Sequence, residues 1–289
     1  GKFGPFNGRS AAEPTRLGPG RVHSDGSGQL GYAVLSRWLD AACEDALSHG
    51  VCLGTSVSLY PSGALGDWAQ CCADRGVGTI LVASSPPTVA APGHSKAVIG
   101  TNPVCIGIPA KPHPFVADCA MSALTHGQWL LSKEKGRPIP PGAAVDANGD
   151  EVSDPHAFEP TPGKGALRSE GNSHKTFALG MAVELLSKIG GIGETSRPSV
   201  FGVFFRADDE SFARYAEQWL SGLRDSGVYV PGHESRARRA DYESRGLVEV
   251  SEDTLQALSR LIGPDEIERL ISSDSNSQNE TDHDEISAT

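Results

Sequence analysis

Apolar residues along the chain follow two spacings, one typical of helices and one typical of buried strands. Leu35, Trp38, Leu39 and Ala42 recur three or four residues apart and predict a helix over residues 30–47. By the same criteria, further helices are predicted over residues 64–75, 120–134, 174–189, 208–224, 254–261 and 264–271, and strands over residues 51–59, 79–83, 104–108 and 199–205. Alternating strands and helices indicate an α/β domain.

Glycine, proline and short polar residues separate these elements. Residues 1–30 are mostly loop, with a short strand near residues 21–23, and residues 136–171 are rich in turn-forming types. Residues 272–289 consist largely of Ser, Asp, Asn, Glu and Thr and offer almost nothing to bury. We therefore expect a folded domain over residues 1–271 and a disordered acidic tail over residues 272–289.

Composition narrows the class of protein. The 289 residues are enough for a large core, and the net charge of -11 disfavours a nucleic-acid partner. No apolar run is long enough to span a membrane, and the chain does not open with a signal peptide. The six cysteines form no CxxC pair, which favours buried free thiols over disulfides. These features predict a cytoplasmic enzyme without a membrane segment.

The segment GSGQLG at residues 26–31 matches the GxGxxG pattern of Rossmann phosphate loops. Only a short strand precedes it, and the next predicted strand does not end in an acidic residue. We therefore interpret the segment as a flexible glycine-rich turn.

Four segments in the first half of the chain carry a family resemblance. They are Ser85-Pro86-Pro87, Pro92-Gly93, Gly100-Thr101-Asn102-Pro103 and Phe115-Val116-Ala117-Asp118. Together they resemble the malate/L-lactate dehydrogenase family of NAD(P)-dependent oxidoreductases. The resemblance implies a mixed sheet flanked by helices, like that of L-sulfolactate dehydrogenase and unlike the Rossmann fold. It also implies NAD or NADP as cofactor, a small-molecule substrate and a homodimer.

The resemblance assigns a cofactor cleft to two of these loops. Ser85, Pro87, Thr101 and Asn102 would line it, through rigid prolines and short hydrogen-bonding side chains. Lys175 lies in a segment that resembles another family element, and its ammonium would meet a phosphate or carboxylate. The alternative is that the loops are structural turns and Lys175 is a solvated charge.

The catalytic histidine of the family has no counterpart here. The family has His-Phe/Ser-Gly-Ala where this chain has Pro61-Ser62-Gly63-Ala64. The family's upstream helical segment with its substrate motif does not appear in this sequence, either because the chain was truncated or processed or because this member dispenses with the segment. Candidate replacement proton donors are Tyr60, His126 and His174, although a neighbouring strand residue such as Tyr60 points to the opposite face. The sequence shows no metal-binding pattern.

Two hypotheses of function follow. The first is an NAD(P)H-dependent reductase of a small 2-oxo acid or cyclic imino acid with an altered proton donor. An imine tolerates the loss of the histidine better, because it can arrive already protonated. The second is a family member without dehydrogenase activity, acting as a non-redox biosynthetic enzyme or as a ligand-binding or partner subunit. The retained loops favour the first, whereas Pro61 and the absent N-terminal motif favour the second.

Overall fold

The computed structural model describes residues 11–59, 61–189, 197–246, 250, 252–265, 267 and 268. The chain divides into two compact units, residues 1–233 and residues 234–289. The predicted tail lies outside the described residues, as do Tyr60 and residues 190–196.

The first unit contains both sheets and five helices within its described part. Its strands are β1 Thr15–Arg16, β2 Arg21–Asp25, β3 Val51–Val57, β4 Val77–Ala83, β5 Val89–Ala90, β6 Ala97–Ile99, β7 Val104–Ile108, β8 Phe115–Cys119, β9 Ala144–Val145, β10 Ala166–Arg168 and β11 Val200–Arg206. Its helices are α1 Gly31–His49, α2 Leu65–Ala73, α3 His126–Glu134, α4 His174–Ser187 and α5 Glu210–Asp225, with a 3₁₀ turn at Glu170–Asn172. Helix α6, His233–Arg245, begins at the boundary between the units, and α7, Glu252–Ile262, belongs to the second unit.

The larger sheet is mixed and has the strand order β1-β2-β3-β11-β4-β7-β8. Strands β2 and β3 pair in parallel, and the other neighbouring strands pair antiparallel. The smaller sheet has the order β6-β5-β10-β9. A mixed sheet with flanking helices confirms the predicted α/β class, whereas a Rossmann domain has a mostly parallel sheet.

Helix α1 packs on the centre of the larger sheet because glycines in the strands leave room for a large ring. A Cβ at Gly54 would lie 2.5 Å from Cζ2 of Trp38, and a Cβ at Gly202 would lie 2.7 Å from Cε2 of Phe204. The fully buried rings of Trp38 and Phe204 meet edge to face, with centroids 5.3 Å apart. The apolar periodicity of the sequence therefore predicted α1 correctly, and the glycines of the strands explain how closely this helix approaches the sheet.

Some predicted elements were wrong or missing. The helix predicted from residue 120 begins at His126, because Thr125 and Gln128 form a capping box that fixes its start. Residues 120–125 instead include a bridge between Ser122 and Ser169. Strand β8 and helix α6 were not predicted. No helix in the described part of the chain is long and apolar enough to cross a membrane.

Helix α4 is mostly apolar but buries only one of its sides. Phe177, Gly180, Val183 and Ser187 face the protein. The opposite side, here named the outer face of α4, consists of exposed Leu179, Met181, Leu185 and Leu186, and exposed Ile189 follows just after the helix. Leu185 is the most exposed of them, at 73%. These apolar side chains are exposed, so this face is not covered by the described residues of the first unit.

Candidate functional site

Most of the sequence motifs lie at one end of the larger sheet. Because neighbouring strands run in opposite directions, β3, β4 and β8 end where β7 and β11 begin. Strand β2 ends there too, in parallel with β3. We call this the loop end of the sheet. It gathers residues 26–30, 58, 59, 61–64, 84–88, 100–103 and 119–122, and loops over one end of a sheet are the usual place for ligand sites.

The Ser85 and Thr101 loops are joined to each other at the loop end. The amide of Thr101 donates to Oγ of Ser85 over 3.1 Å, and the amide of Ser85 donates to Oδ1 of Asn102 over 3.3 Å. A Cβ at Gly100 would lie 2.1 Å from Oγ of Ser85, so only glycine fits between the loops. Ser85 and Thr101 are half-buried, and Pro87 is exposed. The structure thus brings together three of the five predicted cofactor residues, with a proline of the same loop beside them.

Asn102 holds this loop pair to helix α4. Its side chain is fully buried, and Nδ2 donates to the carbonyl oxygen of Gly180 and to Oε2 of Glu184, each over 2.9 Å. Its backbone has φ of +39°, in the region that asparagine tolerates better than most residues. The sequence predicted Asn102 as a cofactor ligand. In the structure its amide is engaged with protein groups, so it acts on the site by positioning the loops.

A lysine continues this network on the side of β11. Nζ of Lys188 donates to Oγ of Ser84 over 3.1 Å and to the carbonyl oxygen of Arg197, and lies 3.7 Å from Oε1 of Glu184. Partial burial lowers the pKa of Lys188, and the neighbouring Glu184 opposes that shift. Glu184 thus links Asn102 to Lys188 and closes a polar network behind the loop end.

Residues 61–64, here named the Pro61 turn, lie between β3 and α2. Nε1 of Trp68 donates to the carbonyl oxygen of Ser62 over 2.8 Å. Gly63 has φ of +69°, and a Cβ there would lie 2.6 Å from Cε1 of Tyr32. The turn is therefore held between a ring of α1 and a ring of α2. Tyr60, one of the three predicted catalytic residues, lies outside the described residues.

Asp118 lies at the beginning of α2, and the sequence reasoning did not select it. Its Oδ2 accepts a hydrogen bond from the amide of Gly66 over 2.8 Å, while part of the residue stays exposed. Desolvation raises the pKa of the Asp118 carboxyl, and Asp67 raises it further, against hydrogen bonds from the amides of Gly66 and Leu65. A carboxyl with a raised pKa at a cluster of loops is a candidate proton carrier. The signal was present in the Phe115–Asp118 motif.

The two predicted catalytic histidines occupy equivalent places, each as the first residue of a helix. His126 begins α3, is half-buried, and packs against Trp129 with ring centroids 5.3 Å apart. His174 begins α4 and is exposed, as is Lys175, whose amide donates to Oγ of Ser173 over 3.2 Å. The catalytic roles of both histidines stay predictions.

Within the described part of the chain, no group of three His, Cys, Asp or Glu side chains could bind a metal ion. The exposed start of α4 carries the ammonium of Lys175, a group that suits a phosphate. A nicotinamide dinucleotide carries phosphates of this kind in its pyrophosphate.

Comparison with known proteins identifies the family. The family model described as malate/L-lactate dehydrogenase matches residues 3–259. The chain belongs to this family. The resemblance found in the sequence motifs is thereby confirmed, and with it an origin among oxidoreductases.

Relatives within the family differ in substrate. The chain is 27% identical to the Delta(1)-pyrroline-2-carboxylate/Delta(1)-piperideine-2-carboxylate reductase of Pseudomonas putida, over 90% of this chain and 80% of that protein. It is 32% identical to the L-sulfolactate dehydrogenase of Methanothermobacter thermautotrophicus, over 72% of this chain but 65% of the relative. The solved sulfolactate dehydrogenase of Methanocaldococcus jannaschii has the same fold, with a TM-score of 0.72 at 21% identity over 88% of this chain and 78% of that one. The predicted sulfolactate-dehydrogenase-like architecture is therefore correct.

Proposed function

We propose that this member of the malate/L-lactate dehydrogenase family is a cytoplasmic, NAD(P)H-dependent reductase of small 2-oxo acids or cyclic imino acids. The observation that carries the proposal is the loop pair of Ser85 and Thr101, which Asn102 fastens at the loop end of the sheet. A buried side-chain amide that fixes two half-buried loops indicates that the geometry of these loops matters. The six free cysteines are in keeping with a reducing compartment.

The residues of this chain would divide the work as follows. Lys175 and the first turn of α4 would hold the phosphates, and the Ser85 and Thr101 loops would orient the rest of the dinucleotide. A bound reduced nicotinamide supplies a hydride to the carbonyl or imine carbon. Asp118, with its raised pKa, would hold a proton beside the Pro61 turn.

The choice of substrate class is supported by the relatives and by the Pro61 turn. The Pseudomonas putida relative is a reductase of cyclic imino carboxylates. Proline at residue 61 cannot donate a proton to a carbonyl oxygen, whereas an iminium substrate brings its own proton. We therefore expect cyclic imines to be better substrates than 2-oxo acids.

The alternative function is a ligand-binding or non-redox role. It is favoured by Ser173, Thr176 and Ala178, which replace glycines of the family element around Lys175. Each Cβ takes up space that a close-lying ligand would need. This alternative predicts no turnover with either nicotinamide cofactor.

We also propose that the protein is a homodimer and that the outer face of α4 lies in its interface. The exposed side chains of this face form an apolar stripe along a single helix. Exposed apolar stripes of this kind mark association surfaces in soluble proteins.

Titration with NADPH and NADH, followed by nucleotide fluorescence, tests the proposal directly. We expect a Kd in the micromolar range, about -8 kcal/mol, for at least one of the two. Lys175→Met should weaken binding about tenfold or more, because it removes a phosphate contact. Lys164→Met, an exposed lysine paired with Glu159, serves as the control and should bind as the parent does. Absence of binding of both nucleotides at millimolar concentration would contradict the proposal.

A further inference from the structure

The phenol of Tyr32 lies over the Pro61 turn. A Cβ built on Gly63 would come 2.6 Å from Cε1 and 3.1 Å from the hydroxyl oxygen of Tyr32. The ring therefore occupies the space that any larger residue at position 63 would need. The four side chains of the turn, Pro61 to Ala64, include no ionisable group, so the phenol brings a proton-bearing oxygen to this place.

Two aromatic residues from different helices hold this arrangement. Tyr32 is the second residue of α1, and its ring centroid lies 6.3 Å from that of Trp68 on α2, at an interplanar angle of 45°. Trp68 in turn donates from Nε1 to the carbonyl oxygen of Ser62. Tyr32 nevertheless keeps 45% of its surface exposed. Its ring is thus fixed while the residue stays accessible to a ligand.

The same short segment connects Tyr32 to Asp118. Gly63 meets the phenol, and the amide of Gly66 donates to Oδ2 of Asp118. Three residues of chain span at most about 10 Å, so the hydroxyl and the carboxylate both lie next to one substrate-sized stretch of backbone. Both belong to the loop end, where the Ser85 and Thr101 loops also lie.

We propose that Tyr32 donates the proton to the substrate oxygen during reduction of a 2-oxo acid. It would replace the histidine imidazole that the family has where this chain has Pro61. The inference rests on the proposed reductase function. A bound reduced nicotinamide would supply a hydride to the carbonyl carbon, and the carbonyl π pair would move to oxygen. That oxygen takes the phenolic proton, so the products are the 2-hydroxy acid and the oxidised nicotinamide. The phenolate then regains a proton from water.

Replacement of Tyr32 by phenylalanine distinguishes proton donation from packing, because it keeps the ring and removes only the hydroxyl. We expect Tyr32→Phe to lower kcat for a simple 2-oxo acid, pyruvate, by about 10²–10⁴-fold. The Kd for the nicotinamide nucleotide and the melting temperature should stay unchanged. Tyr215→Phe, an exposed tyrosine on α5, is the matched control and should behave as the parent does.

A substrate that carries its own proton gives a second test, because a purely structural role of Tyr32 would lower kcat equally for both substrates. With Δ1-piperideine-2-carboxylate, assayed below the pKa of its iminium, Tyr32→Phe should lose less than tenfold in kcat. Pro61→His in the Tyr32→Phe background should restore turnover of pyruvate and give it the pH profile of an imidazole.

Failure of the proposed reductase function can be distinguished from failure of the proposed role of Tyr32. A parent protein that binds neither NADH nor NADPH ends the reductase function and the role of Tyr32 with it. A parent that reduces pyruvate, together with a Tyr32→Phe variant of equal kcat, overturns the role of Tyr32 and leaves the reductase function standing. Equal losses on both substrates, with weakened nucleotide binding, would also overturn it, since they would show that Tyr32 only supports the fold of the turn.

Discussion

At the scale of single residues, Asn102 decides the shape of the candidate site. Its side chain joins the Ser85 loop, its own loop and helix α4 from a fully buried position. A buried amide with every partner inside the protein stabilises one arrangement of the loops against all others. Its loss should therefore affect stability and cofactor binding together.

Replacement of Asn102 by alanine should lower the free energy of unfolding by about 1–3 kcal/mol, because the amide of Ser85 and the carbonyl of Gly180 lose their partner. Alanine also strains the backbone at φ of +39°. Asn102→Gly removes the same side chain without that strain, and it should be about 1 kcal/mol more stable than the alanine variant. Urea unfolding measures both. Equal stability of all three proteins would contradict the positioning role.

Asp118 gives the molecule a predictable response to pH. Its carboxyl has a pKa raised above the ordinary 3.8, so the folded protein binds that proton more tightly than the unfolded chain does. The resulting stabilisation is complete below pH 3.8 and is lost as pH rises through the folded-state pKa. Asparagine does not titrate and keeps an oxygen for the amide of Gly66. Asp118→Asn should therefore gain stability relative to the parent across this pH window.

Denaturant unfolding of both proteins at several pH values checks this prediction. All other titrating groups are common to the two proteins, so the difference in their free energies of unfolding isolates Asp118. A difference that is constant with pH, or that favours the parent as pH rises, would show that the carboxyl is not desolvated.

At the scale of elements, periodicity predicted most helices and strands, and capping and packing decided the rest. Helix α1 and strand β7 were placed within two residues of their observed bounds because their apolar patterns are regular. The start of α3 depends on the Thr125 capping box, which apolar periodicity does not detect. The role of Asn102 depends on contacts with α4, which no local pattern contains. The sequence therefore located the loops of the site and included Asn102 among their residues, but it did not indicate that Asn102 fixes the loops.

Also at the scale of elements, the outer face of α4 leads to a prediction about the oligomeric state. Leu185→Glu places a charge on the most exposed residue of this face, and burying that charge in a dimer would cost several kcal/mol. We expect the variant to sediment as a monomer where the parent sediments as a dimer. Tyr215→Glu, on the exposed side of α5, is the control and should leave the dimer intact. A parent protein that is itself monomeric would contradict the proposed dimer interface on this face.

At the scale of the whole molecule, charge is concentrated in a segment with almost nothing apolar. Residues 272–289 contain five acidic residues and no Lys or Arg, so their removal changes the net charge from -11 to -6. Deletion of this segment should leave the melting temperature within about 2 °C and catalytic activity unchanged. Differential scanning calorimetry of the shortened chain tests this, and a fall of several degrees would show that the segment binds the folded protein.

The links made by Asn102 also set the order in which the protein becomes functional. Its partners Gly180 and Glu184 follow it by 78 and 82 residues. During synthesis, the Ser85 and Thr101 loops leave the ribosome long before α4 exists to hold them. Contacts of such large separation in sequence form late in folding, because much chain must be ordered first. Competence to bind a dinucleotide should consequently arrive as one of the last events of folding.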